Sequence, residues 1–207
     1  MADIRLDPNF IDDFERANEN PVQPPWELFD APFIPMQLDN GVINGTSFNP
    51  SNSSQQYYGA LPLTGDIIEA WGESFGNANT QDAYRLGLLD GSNSGYLCYM
   101  PNNPGDDEWI IRKYTNGTFS ILAQGTPPQS APSLGDLVLM QTDATSVYCY
   151  YSTDNGANWT LMVTGVDADY RTDMYITLGA NGEAPGWEMA GGADETELSQ
   201  IYRRPNE

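Results

Sequence analysis

The segment Glu69-Ala70-Trp71-Gly72-Glu73 places two carboxylates where hydrolytic chemistry could be sought. Glycoside hydrolysis needs two carboxyl groups facing one bond, roughly 5–5.5 Å apart for retention and 6.5–9.5 Å for inversion. Residues four apart on a strand share a face but stand roughly 13 Å apart. The spacing is therefore too long, and Glu69 and Glu73 read as solvent-facing charges beside an aromatic. Two further acidic groups could hold a hard cation through oxygen ligands: Asp106, Asp107 and Glu108 after a Pro-Gly pair, and Asp167, Asp169 and Asp173. The second is not an EF-hand, because Arg171 falls at the fifth position and Leu178 at the twelfth. The preferred reading of both groups is a solvated acidic loop. No cofactor is expected, and calcium at Asp106, Asp107 and Glu108 is the candidate if a metal binds.

Other chemistries are excluded by absence. The 207 residues include no histidine, so there is no Ser-His-Asp triad, Cys-His pair or imidazole metal site. The two cysteines, Cys98 and Cys149, cannot build a four-thiolate zinc site and read as reduced core residues in preference to a bridge. The one lysine, Lys113, stands in no phosphate-loop motif. Lys plus Arg is 8 and Asp plus Glu is 29, so the net charge is 8 − 29 = −21, which would repel nucleic-acid phosphate. That acidity has three readings: adaptation to salt, divalent-cation binding, or a solubility layer on the solvent faces, the last preferred. No apolar run is long enough to span a membrane. The opening stretch is acidic without an apolar centre, so no secretory signal is expected there.

Aromatic side chains are the remaining binding feature, since sugar C–H faces and protein partners both pack on Trp and Tyr rings. Trp71, Trp109, Tyr148 and Tyr150 are the candidate ligand-binding residues, and Trp187 is a further strand Trp. Tyr148 and Tyr150 share a face opposite Val147, Cys149 and Tyr151, and one of those faces must be core. The segment from Ser152 to Trp159 has the pattern S-x-D-x-G-x-x-W, with Ser152, Asp154, Gly156 and Trp159 at its fixed positions. Asp can accept turn N–H groups, Gly supplies a positive φ, and Trp packs beneath, so the expected role is a stable hairpin. The pattern resembles the Asp-box of sialidase-type propellers, but it occurs once, in a chain too short for that fold.

These residues need elements to carry them. Short apolar runs alternate with turn dipeptides at Asn40-Gly41, Asn44-Gly45, Asp90-Gly91, Asn116-Gly117, Asn155-Gly156 and Asn181-Gly182. Strands are predicted at 33–38, 54–61, 66–75, 83–89, 95–100, 108–114, 118–123, 136–141, 146–152, 159–164, 174–179 and 186–190. The one helix candidate is the acidic stretch 194–201, followed by Arg203 and Arg204. The proline-bearing start reads as an arm with one short ordered piece at 10–14.

The order of several features resembles a known family. Asp12-Asp13-Phe14-Glu15-Arg16-Ala17-Asn18, Trp26-Glu27, Asn40-Gly41-Val42-Ile43, Tyr84-Arg85-Leu86-Gly87-Leu88, Gly135-Asp136-Leu137-Val138-Leu139 and Trp187-Glu188-Met189-Ala190-Gly191-Gly192 follow one another as in concanavalin A-like, laminin-G-type domains. Glu15 stands where Asn is commoner. The resemblance spans about residues 10–192 and implies an all-β fold, an antiparallel two-sheet jelly-roll sandwich. The expected division is an extended N-terminal arm at 1–25, the sandwich at 26–192 and a short polar C-terminal tail at 193–207. Laminarinase-type members carry E-x-D-x-x-E on one strand; here Trp71 replaces the Asp and Glu73 has the wrong offset. Without that motif, the resemblance implies as the expected function a non-enzymatic phage structural protein, a lectin-like capsid-decoration or tail-associated module. Its expected partners are other virion proteins or further copies of itself, with surface glycans in addition and neither nucleic acid nor membrane. Its expected place is the virion, assembled in the host cytoplasm. The alternative is a carbohydrate-binding module acting at a cell or polysaccharide surface, with a glycosidase behind both.

Overall fold

The computed structural model describes residues 8–20, 23–24, 26–28, 36–45, 54–58, 62–75, 84–100, 108–125, 132–180 and 186–195. Fifteen strands occur among them: β1 (Phe10–Asp12), β2 (Trp26–Leu28), β3 (Gln37–Asp39), β4 (Val42–Asn44), β5 (Ser54–Tyr58), β6 (Ile67–Phe75), β7 (Tyr84–Leu89), β8 (Gly95–Met100), β9 (Ile110–Thr115), β10 (Thr118–Gln124), β11 (Leu137–Thr142), β12 (Ser146–Ser152), β13 (Thr160–Val166), β14 (Tyr175–Ala180) and β15 (Gly186–Glu195). They form two antiparallel sheets. The first runs β13-β12-β11-β6-β15-β4-β3, with β1 also paired to β15; the second runs β10-β9-β8-β7-β14-β5-β2. The chain crosses between sheets at β1–β2, β2–β3, β4–β5, β5–β6, β6–β7, β10–β11, β13–β14 and β14–β15, so sequence neighbours there lie in opposite layers. The all-β jelly-roll sandwich expected from the sequence is the fold observed.

Turn chemistry explains the short connections. Asn40-Gly41 and Asn116-Gly117 each join two strands with both residues at positive φ, as a two-residue hairpin of right-handed twist requires. The β7–β8 turn differs from expectation. Its positive φ falls on Asn93, not on Asp90-Gly91, while Asp90 Oδ1 accepts the N–H groups of Ser92 (2.8 Å) and Ser94 (2.9 Å). Asn44 of the expected Asn44-Gly45 turn lies in β4, paired with Gly186. Asn181-Gly182 lies outside the described residues.

Between the sheets, Ile68, Ala70, Val138, Met140, Val147 and Cys149 meet Leu86, Leu88, Tyr96, Cys98, Ile176 and Leu178 in one buried cluster. Glycines of the first sheet make room for large side chains in this interior. A Cβ on Gly72 would stand 2.5 Å from Trp187 Cε3, and one on Gly192 would stand 2.2 Å from Ile176 Cδ1. Trp187 is fully buried, meets the Tyr84 ring edge-on at 5.2 Å, and donates its indole N–H to the Gly179 carbonyl at 3.3 Å. Cys98 and Cys149 are free, buried thiols on facing sheets.

Both end segments join the first sheet. Within the expected arm, β1 pairs with β15, and Phe14 is fully buried with its ring 5.7 Å from that of Trp26. Asp12 holds this segment in place by accepting from Trp26 Nε1 (2.7 Å) and Arg16 Nη1 (2.8 Å). At the other end, Asp194 and Glu195 are not helical; they extend β15 against Ile68 and Ile67. Sheet pairing along the whole of β6 outweighs local helix preference there. Asp194 also accepts from Thr64 N–H at 2.8 Å and Asn9 Nδ2 at 2.7 Å. Residues 196–201 of the expected helix lie outside the described set.

Candidate carbohydrate-binding face

The parity of β12 resolves which of its faces is core. Val147, Cys149 and Tyr151 point between the sheets, so Tyr148 and Tyr150 point outward. Registers across the first sheet then assemble two rows on its outer face. Tyr150 pairs with Leu139, Leu139 with Trp71, and Trp71 with Gly191; Tyr148 pairs with Gln141, Gln141 with Glu69, and Glu69 with Ala193. Three of the four candidate aromatics, Trp71, Tyr148 and Tyr150, thus share one face across β6, β11 and β12. Trp109 does not. It is buried in the core with its ring 5.6 Å from Tyr151, because it has the inward parity of Ile111 on the adjoining β9.

The face has a buried part and an accessible part. Glu69 and Leu139 are 0% exposed and Trp71 is 2% exposed, whereas Tyr148 and Tyr150 are half-buried. The two tyrosine rings stack with centroids 6.0 Å apart and planes 23° apart. A register shift between Cys149 and Tyr150 bends the strand beneath them. The Tyr148 hydroxyl donates to Asp143 Oδ2 at 2.9 Å, and Asp143 Oδ1 accepts from Thr145 N–H (2.7 Å) and Ser146 N–H (2.9 Å). Burial alone would raise the Asp143 carboxyl, but these donors outweigh it and hold it below its ordinary value. Tyr150 is pushed up by burial and by the negative groups around it. Gln141 Nε2 donates to Glu69 Oε1 at 2.6 Å, which orients the amide beside the tyrosines. The arrangement offers an aromatic platform for a C–H face, bordered by an amide and a carboxylate for hydroxyl groups.

The same face of β6 continues to Glu73, which lines a ≈ 590 Å³ pocket with Glu188, Asp13, Glu15 and Arg16. Glu69 and Glu73 do not act as a pair: one takes Gln141, the other meets Glu188. Burial and then the Glu188 charge raise the Glu73 carboxyl. Glu188 sits at the register shift between Trp187 and Met189, a bulge that simple alternation along β15 does not reveal.

Ser152, Asp154, Gly156 and Trp159 form one hydrogen-bonded turn. Asp154 Oδ1 accepts from Ser152 Oγ (2.8 Å) and Asn158 N–H (2.8 Å), and Ser152 Oγ accepts from Gly156 N–H (2.9 Å). Gly156 has φ 80°, and a Cβ on it would lie 3.5 Å from Trp159 and 3.4 Å from Leu137. The turn therefore packs down on the end of β11.

The described acidic groups do not fit a calcium ion. Lys113 Nζ lies 2.6 Å from Asp167 and 2.5 Å from Asp169, so an ammonium already stands between them. Tyr96 OH donates to Asp167 at 2.5 Å, and Asp173 contributes its N–H to Thr64 Oγ1 at 2.8 Å. Glu108 accepts from Gln124. Asp106 and Asp107 lie outside the described residues, and among the described residues no group of three potential ligands exists.

No family model matches the chain, and the curated proteins hold no sequence match. Among solved structures, the chain is similar to the exoplasmic/lumenal domain of VIP36 in its Ca2+/Man3GlcNAc-bound form. The identity is 10% and the TM-score 0.61, over 86% of this chain and 88% of that one. It is also similar to the carbohydrate-binding module CBM66 from Bacillus subtilis, with 13% identity and a TM-score of 0.52, over 83% and 93% of the two chains. A third similar structure is the CBM2 module of the evolved Dit of Lactobacillus casei BL23 phage J-1. Its identity is 10% and its TM-score 0.59, over 88% and 93%. At these identities the likeness is one of fold: the chain is an antiparallel two-sheet jelly-roll sandwich, the fold it shares with these three domains.

Proposed function

We propose that the chain is a non-catalytic glycan-binding module carried on a phage virion, where it contacts other virion proteins or further copies of itself. The observation that carries the glycan reading is the stacked Tyr148–Tyr150 pair on the outer face of the first sheet, bordered by Gln141 and Asp143. The virion reading is supported by the likeness to the phage J-1 module, which spans most of both chains. Glu73 beside Glu188 favours a second reading, glycoside hydrolysis, since that chemistry uses two carboxyls and a general acid whose own carboxyl is raised.

A glycan array probed with the wild-type chain and with Tyr150→Ala tests the first reading. Removing a packed aromatic costs about 1.5–3 kcal/mol, so the variant should bind the selected glycan roughly 10–100-fold more weakly. Equal binding by both proteins would place the glycan elsewhere. Hydrolysis of a bound oligosaccharide, abolished by Glu73→Gln, would replace the non-catalytic reading. Absence of the chain from purified particles would remove the virion assignment.

A further inference from the structure

The outer face of the second sheet carries two arginines of a kind found nowhere else among the described residues. Arg16 is paired with Asp12 and Glu19, Lys113 with Asp167 and Asp169, and Arg171 approaches Asp66 at 3.8 Å. Arg85 on β7 and Arg112 on β9 have no ion-pair partner among the described residues, in a chain with 29 carboxylates. Both converge on one ring between them. Arg85 is 6% exposed, with its guanidinium carbon 5.2 Å from the Tyr99 centroid. The Arg112 carbon is 4.5 Å from the same centroid and 4.4 Å from that of Phe119. Arg112 is half-exposed, yet its Nε is buried and has no hydrogen-bond acceptor.

This arrangement is costly as it stands. Guanidinium groups stay protonated in proteins, and burying a charge without a counter-charge is unfavourable. Aromatic faces recover part of that cost. The two like charges oppose each other, and burial together with Arg112 pulls Arg85 below its ordinary value. An oxyanion would relieve both effects, because the guanidinium fork matches carboxylate and phosphate geometry. The overall negative charge does not forbid it, since exposed charges are screened over about 8 Å at physiological salt. Around the arginines, Phe119 (51% exposed) and Ile121 (57% exposed) give the patch an apolar border suited to the body of an organic ligand.

We propose that Arg112, with Arg85 behind it on the Tyr99 ring, forms a binding site for an oxyanion-bearing small ligand, a carboxylate or a phosphate. The site lies on the opposite sheet from the tyrosine platform and does not depend on it. Arg112 supplies the fork, and Arg85 is a positioning residue that adds positive potential and holds the ring.

The test titrates the full chain with D-glucuronate, glucose 6-phosphate, inorganic phosphate and neutral glucose, following the Arg112 Nε–H resonance by NMR. The expected result is a saturable shift with at least one anion and none with glucose. Arg112→Gln should weaken the anion at least about tenfold, Arg112→Lys should weaken it less, and Arg85→Gln should weaken it several-fold. Tyr150→Ala should leave it unchanged, which separates this site from the platform. Stronger binding of glucose 6-phosphate than of inorganic phosphate assigns the ligand as a phosphorylated organic molecule; equal binding assigns free phosphate; glucuronate alone assigns a carboxylate. The amide spectrum of each variant reports its fold, and weakening of the wild-type anion shift by added salt reads the same charge contact without any variant. No saturable shift with any anion up to about 10 mM, or equal affinity in wild type and a folded Arg112→Gln, overturns the proposal.

Discussion

The interior between the sheets can be perturbed by one methyl group, where Gly72 makes room for the Trp187 ring of the neighbouring strand β15. Gly72 lies on β6 between Trp71 and Glu73, the residues that face the candidate binding surface, and its own Cβ position points at Trp187. In Gly72→Ala the new carbon would stand 2.5 Å from Trp187 Cε3 and 2.7 Å from Cζ3. Ordinary carbon contacts lie at about 3.5–4.0 Å, so the ring or the strand must move by about 1 Å. Trp187 has little room to give: it is fully buried, packed on Tyr84, and hydrogen-bonded to Gly179. Overpacking of this kind costs about 1–3 kcal/mol, and a strained indole hydrogen bond adds about 0.5–1.5 kcal/mol. Loss of glycine's unfolded-state freedom returns roughly 0.4–1 kcal/mol. The net expectation is a destabilisation of about 2–3 kcal/mol, or a fall in Tm of roughly 5–10 °C for a chain of this size. Urea unfolding of wild type, Gly72→Ala, Trp187→Leu and the double variant gives the coupling directly. Trp187→Leu removes the atoms that clash, so adding Gly72→Ala to it should cost less than about 0.5 kcal/mol. Additive losses, or an unchanged Gly72→Ala midpoint, would refute the claim that Gly72 makes the room in which the Trp187 ring is seated beneath the site.

Other parts of the fold make equally definite claims. Asp143 and Asp167 sit below their ordinary carboxyl values despite burial, Asp167 through Lys113 and Tyr96. A depressed carboxyl stabilises above its unfolded pKa and loses that contribution as pH falls through the folded one. Tm should therefore drop below about pH 4, and Asp167→Asn should flatten the drop while lowering Tm at pH 7. Glu73 has the opposite sign, so Glu73→Gln should raise Tm slightly at neutral pH, with the gain vanishing near pH 4; a loss at pH 7 would contradict its raised carboxyl. Burial and the adjacent Cys98 thiol push the Cys149 thiol well up, so neither thiol should react with Ellman's reagent until the chain is unfolded. Rapid reaction of the native protein would show that the core opens.

The strands were legible because Asn-Gly turns and alternating apolar residues act locally. Asn40-Gly41 and Asn116-Gly117 have the backbone angles their residue types favour, and the strands beside them follow. The three-residue strands β1 and β2 carry no such pattern; β1 is held by pairing with the distant β15, and β2 by pairing with β5. Face assignment failed where both faces carry aromatics. Tyr148 and Tyr151 differ only in parity, and no rule of composition says which side of β12 meets the other sheet. Trp109 is a ligand-binding candidate by residue type alone, and its parity turns it inward. Glu188 and the Arg85–Tyr99–Arg112 cluster were invisible for another reason. A bulge displaces the first, and three strands bring the second together, so neither leaves a spacing to find.

The large acidic excess takes a more specific meaning from the turns. Asp12 accepts the Phe14 N–H, Asp13 that of Glu15, Asp90 those of Ser92 and Ser94, Asp136 that of Ser133, Asp143 those of Thr145 and Ser146, Asp154 that of Asn158 and Asp167 that of Asp169. These aspartates replace backbone acceptors where the chain leaves a sheet, a role in which Asp and Asn excel because their short side chains reach N–H groups two or three residues on. An all-β chain with many tight turns needs many such residues, and each Asp chosen over Asn adds a negative charge as a by-product. The charge is thus partly a record of turn construction, and those carboxylate oxygens are already engaged before any cation arrives. The same logic isolates the arginines. With so many carboxylates in the chain, none among the described residues pairs with Arg85 or Arg112, and the proposed anion site gives that pair a use.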